Sequence, residues 1–158
     1  MLIRLLAVLA LLLGLWALFR LAMSLRYAKL SREKARAEEE GRGRLVIAEI
    51  PSASGLELLL EDEAHFYWQG RALPKRQVLG GRLRLSGGLI ATVSRDEAVL
   101  PELPSAAVEE GRGRWEVVFQ FEDGTLESIE CGSLSEGVSR EIAGRVFEAV
   151  RRATASRD

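Results

Sequence analysis

The sequence predicts an α+β chain: a long N-terminal helix, then a small antiparallel sheet or barrel of about six or seven strands closed by one C-terminal amphipathic helix. Three observations predict this. The first forty residues are rich in Leu and Ala, then in Lys, Arg and Glu, and contain no proline. From residue 44 to about 132, apolar residues tend to alternate with polar ones between turns bearing Gly, Pro or Asp. From residue 138 onward the apolar spacing changes to three and four, the period of a helix. The boundaries that follow are 1–26, 27–43 and 44–158.

Residues 1–26 read as a transmembrane signal-anchor helix. No charged residue occurs from Leu5 to Phe19, and only Arg20 interrupts the 21 residues between Arg4 and Arg26. A spanning helix needs about 20 apolar residues, and an arginine near its end can snorkel to the headgroups. Trp16, Phe19 and Tyr27 lie towards that end, where amphipathic rings favour the interface. A cleaved signal peptide shares the basic start and leucine core, but no small-x-small cleavage site follows the core here. After the core come Arg20, Arg26, Lys29 and Arg32, then Lys34 and Arg36. This juxtamembrane basic flank outweighs Arg4, so the positive-inside bias predicts an inner-membrane, single-pass protein with its bulk in the cytoplasm. Residues 27–43 continue as a charged helical stalk. Lys29 and Glu33, Lys34 and Glu38, and Arg36 and Glu40 lie four apart. Gly41 is placed to stop the helix.

The β unit follows. LVIAEI ends at Pro51, LELLLE sets Leu56, Leu58 and Leu60 on one side, and Glu61-Asp62-Glu63 supplies a polar turn. HFYWQGRAL reads as a short strand broken at Gly70. Leu83 and Leu85 alternate with Arg82 and Arg84 before Gly87-Gly88 and LIATVS, the pattern of a tight hairpin. Residues 96–113, with Pro101 and Pro104, read as a loop. The clearest hairpin is WEVVFQF–EDG–TLESIEC, with Trp115, Val117, Phe119 and Phe121 on one face. The closing helix is expected at about 133–155, with Ser133 and Glu136 as a capping box and Val138, Ile142, Val146, Ala149 and Ala153 as its apolar stripe. Three Glu-to-Arg pairs four apart, Glu136–Arg140, Glu141–Arg145 and Glu148–Arg152, lie along it.

The hexapeptide EEGRGR occurs twice, at residues 39–44 and 109–114, and each copy runs into a predicted strand. The flanking sequences do not align and no helix follows either copy, which argues against a repeat and against a phosphate-cradling loop. It reads as strand-entry punctuation.

Composition bounds the chemistry. Residues 1–44 hold nine Lys/Arg and four Glu, whereas residues 45–158 hold thirteen Lys/Arg and nineteen Asp/Glu. The β unit is therefore acidic, which argues against nucleic acid as a partner. Cys131 and His65 are the single cysteine and histidine. An intramolecular disulfide is ruled out, and a Cys/His zinc site cannot be assembled. No nucleophile elbow, phosphate-binding loop or metal cluster is present, so neither an enzyme nor a cofactor is expected.

The strand GLELLLEDEAHFYWQG and the final unit WEVVFQFEDGTLESIECGSLSEGVSREIAGRVFEAV resemble, in their order of elements, the pleckstrin-homology-like architecture. More narrowly they look like bacterial PH-like domains held behind N-terminal membrane helices, a likeness spanning about residues 44–155. It implies a seven-stranded bent sheet closed by a C-terminal helix. Lipid-binding members hold phosphoinositides with a basic cluster near the first hairpin. Here that turn is Glu61-Asp62-Glu63, which would repel phosphate, so only the fold is carried over.

One candidate binding segment stands out. Between residues 64 and 94 there is no acidic residue, while Arg71, Lys75, Arg76, Arg82 and Arg84 are all present. The segment could face anionic lipid or an acidic protein partner; Arg82 and Arg84 could equally be the solvated face of a strand. The run Phe66-Tyr67-Trp68 is expected to fill core, because strand neighbours alternate faces. The expected function is a non-catalytic interaction or scaffolding module at the membrane. The alternative is an extracytoplasmic β-rich binding domain held by the same anchor.

Overall fold

The computed structural model describes residues 2–52, 55–100, 113–133 and 136–155, with side chains from residue 13 onward except at 28 and 97. The chain divides into two units, Met1–Arg42 and Gly43–Asp158.

The first unit is one helix, α1, Leu2–Gly41, so the expected span and stalk are continuous. Leu13, Leu15, Trp16, Leu18, Phe19, Leu21 and Leu25 are all exposed and, at 100° per residue, are distributed around the whole circumference. Among the described residues no helix is long and apolar enough to cross a membrane. Along the stalk Lys29 pairs with Glu33 at 3.7 Å and Arg36 with Glu40 at 3.1 Å. Glu38 receives Arg42 at 2.9 Å where Lys34 was expected. Arg42 also reaches Glu39 at 2.6 Å. Gly41 ends the helix as its spacing predicts, and Gly43 turns the chain with φ +78°.

Among its described residues the second unit has eight strands in two four-stranded antiparallel sheets, followed by one helix. In the first sheet β1 (Leu45–Ser52), β2 (Gly55–Glu61), β3 (His65–Trp68) and β4 (Arg71–Pro74) follow one another in order. The second contains β5 (Val78–Leu85), β6 (Gly88–Ser94), β7 (Arg114–Phe121) and β8 (Leu126–Ser133), in the order β6-β5-β7-β8. The expected single sheet or barrel of six or seven strands is thus corrected: neither sheet closes on itself. The added strand arises at HFYWQGRAL, where Gln69 (φ 48°) and Gly70 (φ 74°) both take left-handed conformations and fold one expected strand into the β3–β4 hairpin. In β5–β6 the turn is Ser86-Gly87 rather than Gly87-Gly88, since Gly88 already pairs with Leu85. Of the expected loop at 96–113, residues 101–112 and with them most of the second EEGRGR copy lie outside the described residues.

Helix α2, Gly137–Ala155, starts later than its expected cap at Ser133, because Ser133 is still paired with Arg114 at the end of β8. Its stripe does what the period predicts: Ile142, Ala143, Val146, Ala149, Val150 and Ala153 are buried, although Val138 is exposed. They pack in one cluster with Ile47, Ile50, Leu59, Phe66, Trp68, Val78, Trp115, Val117, Phe119 and Ile129, so both sheets and α2 share a core. Phe66 meets Phe119 edge-on at 5.4 Å. One close helix–sheet approach runs through Gly81, where an added Cβ would stand 2.7 Å from Val150 Cγ1. Phe66 and Trp68 are buried, and Tyr67 lies half-buried between them in sequence.

Candidate functional site

The described surface of the second unit carries a cleft of about 860 Å³ beside the β2–β3 turn. Its walls come from that turn (Glu61, Glu63, Ala64, His65), the tight turn after β4 (Pro74, Lys75, Arg76), the residues after β6 (Arg95, Asp96) and the last turn of α2 (Arg152, Ala153, Thr154). Each wall is placed by local chemistry. Asp62 holds the turn by accepting from the backbone N–H groups of Ala64 and His65 at 2.8 and 2.6 Å, an Asx-type arrangement. The Tyr67 hydroxyl donates to its second oxygen at 2.5 Å. Those donors, Tyr67 above all, hold the Asp62 carboxyl down at about 2 against the opposing effect of desolvation. In return the Asp62 hydrogen bond and charge push the Tyr67 hydroxyl above its ordinary value. Arg44 lies over the Tyr67 ring at 4.0 Å.

Glu61 sits at the centre. One oxygen accepts from Lys75 Nζ at 2.8 Å and the other from Arg152 at 2.8 Å, so the end of β2, the turn after β4 and the end of α2 converge on one carboxylate. Lys75 also donates to the Asp62 carbonyl at 2.7 Å and lies 4.9 Å from the Phe66 ring centre. Arg95 donates to the carbonyls of Lys75, at 3.1 Å, and Arg76, and pairs with Glu122 at 3.2 Å.

This geometry redistributes the expected basic segment. Lys75 and Arg76 line the cleft, whereas Arg71, Arg82 and Arg84 do not. Arg71 pairs with Glu127. Arg82 donates to the Leu100 carbonyl at 2.9 Å. Arg84 is only 8% exposed, which corrects the reading of a solvated strand face. It donates to the Gly87 carbonyl at 2.9 Å and meets Glu116 at 3.2 Å. Arg76 is exposed at the cleft. Sequence reasoning missed Arg95 and Arg152. The only signal for Arg152 was its pairing distance from Glu148, and Glu148 instead takes Arg151 at 2.6 Å. The acidic turn also differs from its sequence reading, since Glu61 and Asp62 are both engaged with internal donors. In the expected juxtamembrane flank Arg20, Arg26, Lys29 and Arg32 are exposed on α1, and Arg20 stacks over Trp16 at 5.3 Å.

Cys131 is fully buried, and burial with the nearby Glu116 charge pushes its thiol up to about 12. A thiol so held is a core hydrophobe, with no thiolate for nucleophilic work at neutral pH. Among the described residues no group of three or more His, Cys, Asp and Glu side chains could hold a metal ion. The cleft is lined by charged and hydrogen-bonding groups. No protein-family model matches the chain, and neither the curated proteins nor the solved structures contain a match.

Proposed function

We propose that the chain is a single-span inner-membrane protein whose second unit, a PH-like β domain, faces the cytoplasm and works as a non-catalytic interaction module. The observation that carries this reading is the uncharged run from Leu5 to Phe19 followed at once by Arg20, Arg26, Lys29 and Arg32. The exposed apolar side chains from Leu13 to Leu25 support it, because they ring α1 rather than forming one stripe. Such a helix has no polar face to leave in water. The PH-like reading is supported by the antiparallel strands that end in a packed C-terminal helix. An interaction role is supported by the cleft, whose Arg76, Arg95, Arg152 and Glu63 form a charged rim on a closed hydrogen-bonded floor.

C-terminal reporter fusions to the full chain test the topology. β-Galactosidase activity without alkaline phosphatase activity is expected. The reverse pattern overturns the cytoplasmic assignment and establishes the extracytoplasmic alternative. Recovery of the chain in the soluble fraction after cell lysis, with neither sedimentation nor detergent dependence, overturns the anchor itself.

A further inference from the structure

The two sheets present four terminal strands, β1, β4, β6 and β8. Three carry the residues that usually protect an edge from further pairing. Glu49 and Pro51 lie in β1, Arg71 and Pro74 in β4, and Glu127 and Glu130 in β8. Strand β6, GLIATVS, has no charge and no proline, and its one irregularity is a bulge at Ile90. The uncharged run is longer than the strand, since residues 85–94 (LSGGLIATVS) contain no Asp, Glu, Lys or Arg. Among the described residues β6 pairs only with β5, and its opposite edge borders no other strand. The irregularity between Leu83 and Arg84 skips Ile90 in the β5 register, and Leu89 and Ile90 are 61% and 54% exposed side by side. Residues 91–94 pair regularly with Gly80–Leu83.

We propose that β6 is a homodimer interface, pairing antiparallel with β6 of a second copy about a two-fold axis through Ala91, to join the two second sheets into one continuous eight-stranded sheet. Two properties select a second copy over an unrelated peptide. The first is electrostatic: a strand with no charge meets its own copy without like-charge repulsion, which a charged edge could not do. The second is self-complementarity. Centring on Ala91 sets Leu89 opposite the partner's Val93, Ile90 opposite the partner's Thr92, and Gly88 opposite the partner's Ser94. The first two are aliphatic and β-branched cross-strand pairs, the kind that stabilise an antiparallel ladder. Closure by a two-fold also removes both edges at once, so assembly stops at two copies. This interface is independent of the membrane reading, and either can fail without the other.

The test is disulfide cross-linking of the full chain in its native membranes or in detergent, with cysteine placed singly along β6. The wild-type chain is the control, its buried Cys131 remaining silent. Opposed residues on the two-fold stand about 5 Å apart between Cα atoms, inside the disulfide range of up to about 6.8 Å. Ala91→Cys is therefore expected to cross-link most. Thr92→Cys faces its own copy two residues out of register, at roughly 8 Å, and is expected to cross-link about tenfold less. Adding Ile90→Lys to Ala91→Cys sets a buried-edge charge against each partner strand and should lower cross-linking about tenfold, at unchanged circular dichroism because Ile90 is exposed. Absence of a dimer band at Ala91→Cys, equal cross-linking at 91 and 92, or indifference to Ile90→Lys each overturns the proposal. So does an oligomer ladder in place of a single dimer band, because a two-fold interface closes.

Discussion

Replacing Glu61 by Gln isolates the contact that ties the three walls of the cleft together. The carboxylate side chain is 12% exposed and meets two cations at 2.8 Å, but those cations differ in setting. Lys75 is 20% exposed and also bonds the Asp62 carbonyl, so its ammonium is oriented and largely out of water. A charge-assisted hydrogen bond in such a place is worth about 1.5–3 kcal/mol. Arg152 is 60% exposed at the end of α2, and an ion pair so open to solvent contributes only about 0.2–1 kcal/mol. Glu61→Gln keeps the shape and one acceptor, so its expected cost is about 2–3 kcal/mol, most of it from Lys75 left half-buried without its countercharge. For a unit of this size that lowers Tm by roughly 10 °C. The decisive measurement is a pair of double-mutant cycles in denaturant, Glu61→Gln with Lys75→Met and Glu61→Gln with Arg152→Met, followed by near-UV circular dichroism. The Lys75 cycle should show the larger coupling by at least about 1 kcal/mol. Equal couplings, or a Glu61→Gln cost below about 0.5 kcal/mol, would refute the assignment of Glu61 as the organising carboxylate.

Two further predictions bear on the turn and the helix seat. Tyr67→Phe removes the leading donor to Asp62, so the Asp62 carboxyl should titrate higher than about 2. Because its folded value is depressed, Asp62 stabilises the fold above about pH 4, and that contribution is lost as pH falls through about 2; Tyr67→Phe should shrink it. An NMR titration of Asp62 that is the same in both proteins refutes the hydrogen bond as the cause. Gly81→Ala should destabilise by about 1–3 kcal/mol through contact with Val150, and Val150→Ala in the same chain should recover at least about 1 kcal/mol of the sum of the two single effects. Additive costs would show that α2 does not seat on Gly81.

What the sequence disclosed was whatever a single element carries by itself. The α2 stripe at three and four, the burial of Trp115, Val117 and Phe119, and the stop at Gly41 each follow from periodicity or one residue's conformational freedom, and each is seen, although Val118 and Gln120 on the other face of that strand are buried too. The second hairpin of the first sheet was hidden because Gln69 adopts positive φ without being Gly or Asn, so nothing marked the turn as two residues long. Gly80 and Gly81 were equally silent. Inside a strand they read as weakness, yet at Gly81 α2 fits against β5, and at Gly80 Leu100 and the β6 backbone approach, because a side chain is lacking.

The basic segment is dispersed for a related reason. Its lack of local acids is real, but the neutralising carboxylates arrive from elsewhere in the chain. Glu127 lies 56 residues from Arg71, Glu116 lies 32 from Arg84 and Glu61 lies 14 from Lys75. The same pairings undo the simple reading of the acidic turn, because Glu61 and Asp62 spend their lone pairs on Lys75, Arg152, Tyr67 and the backbone. A linear count of charge therefore misjudged both surfaces in opposite directions. What remains of that cancellation is a rim of both signs: Arg76, Arg95, the outer part of Arg152 and Glu63 surround a floor already fixed by hydrogen bonds.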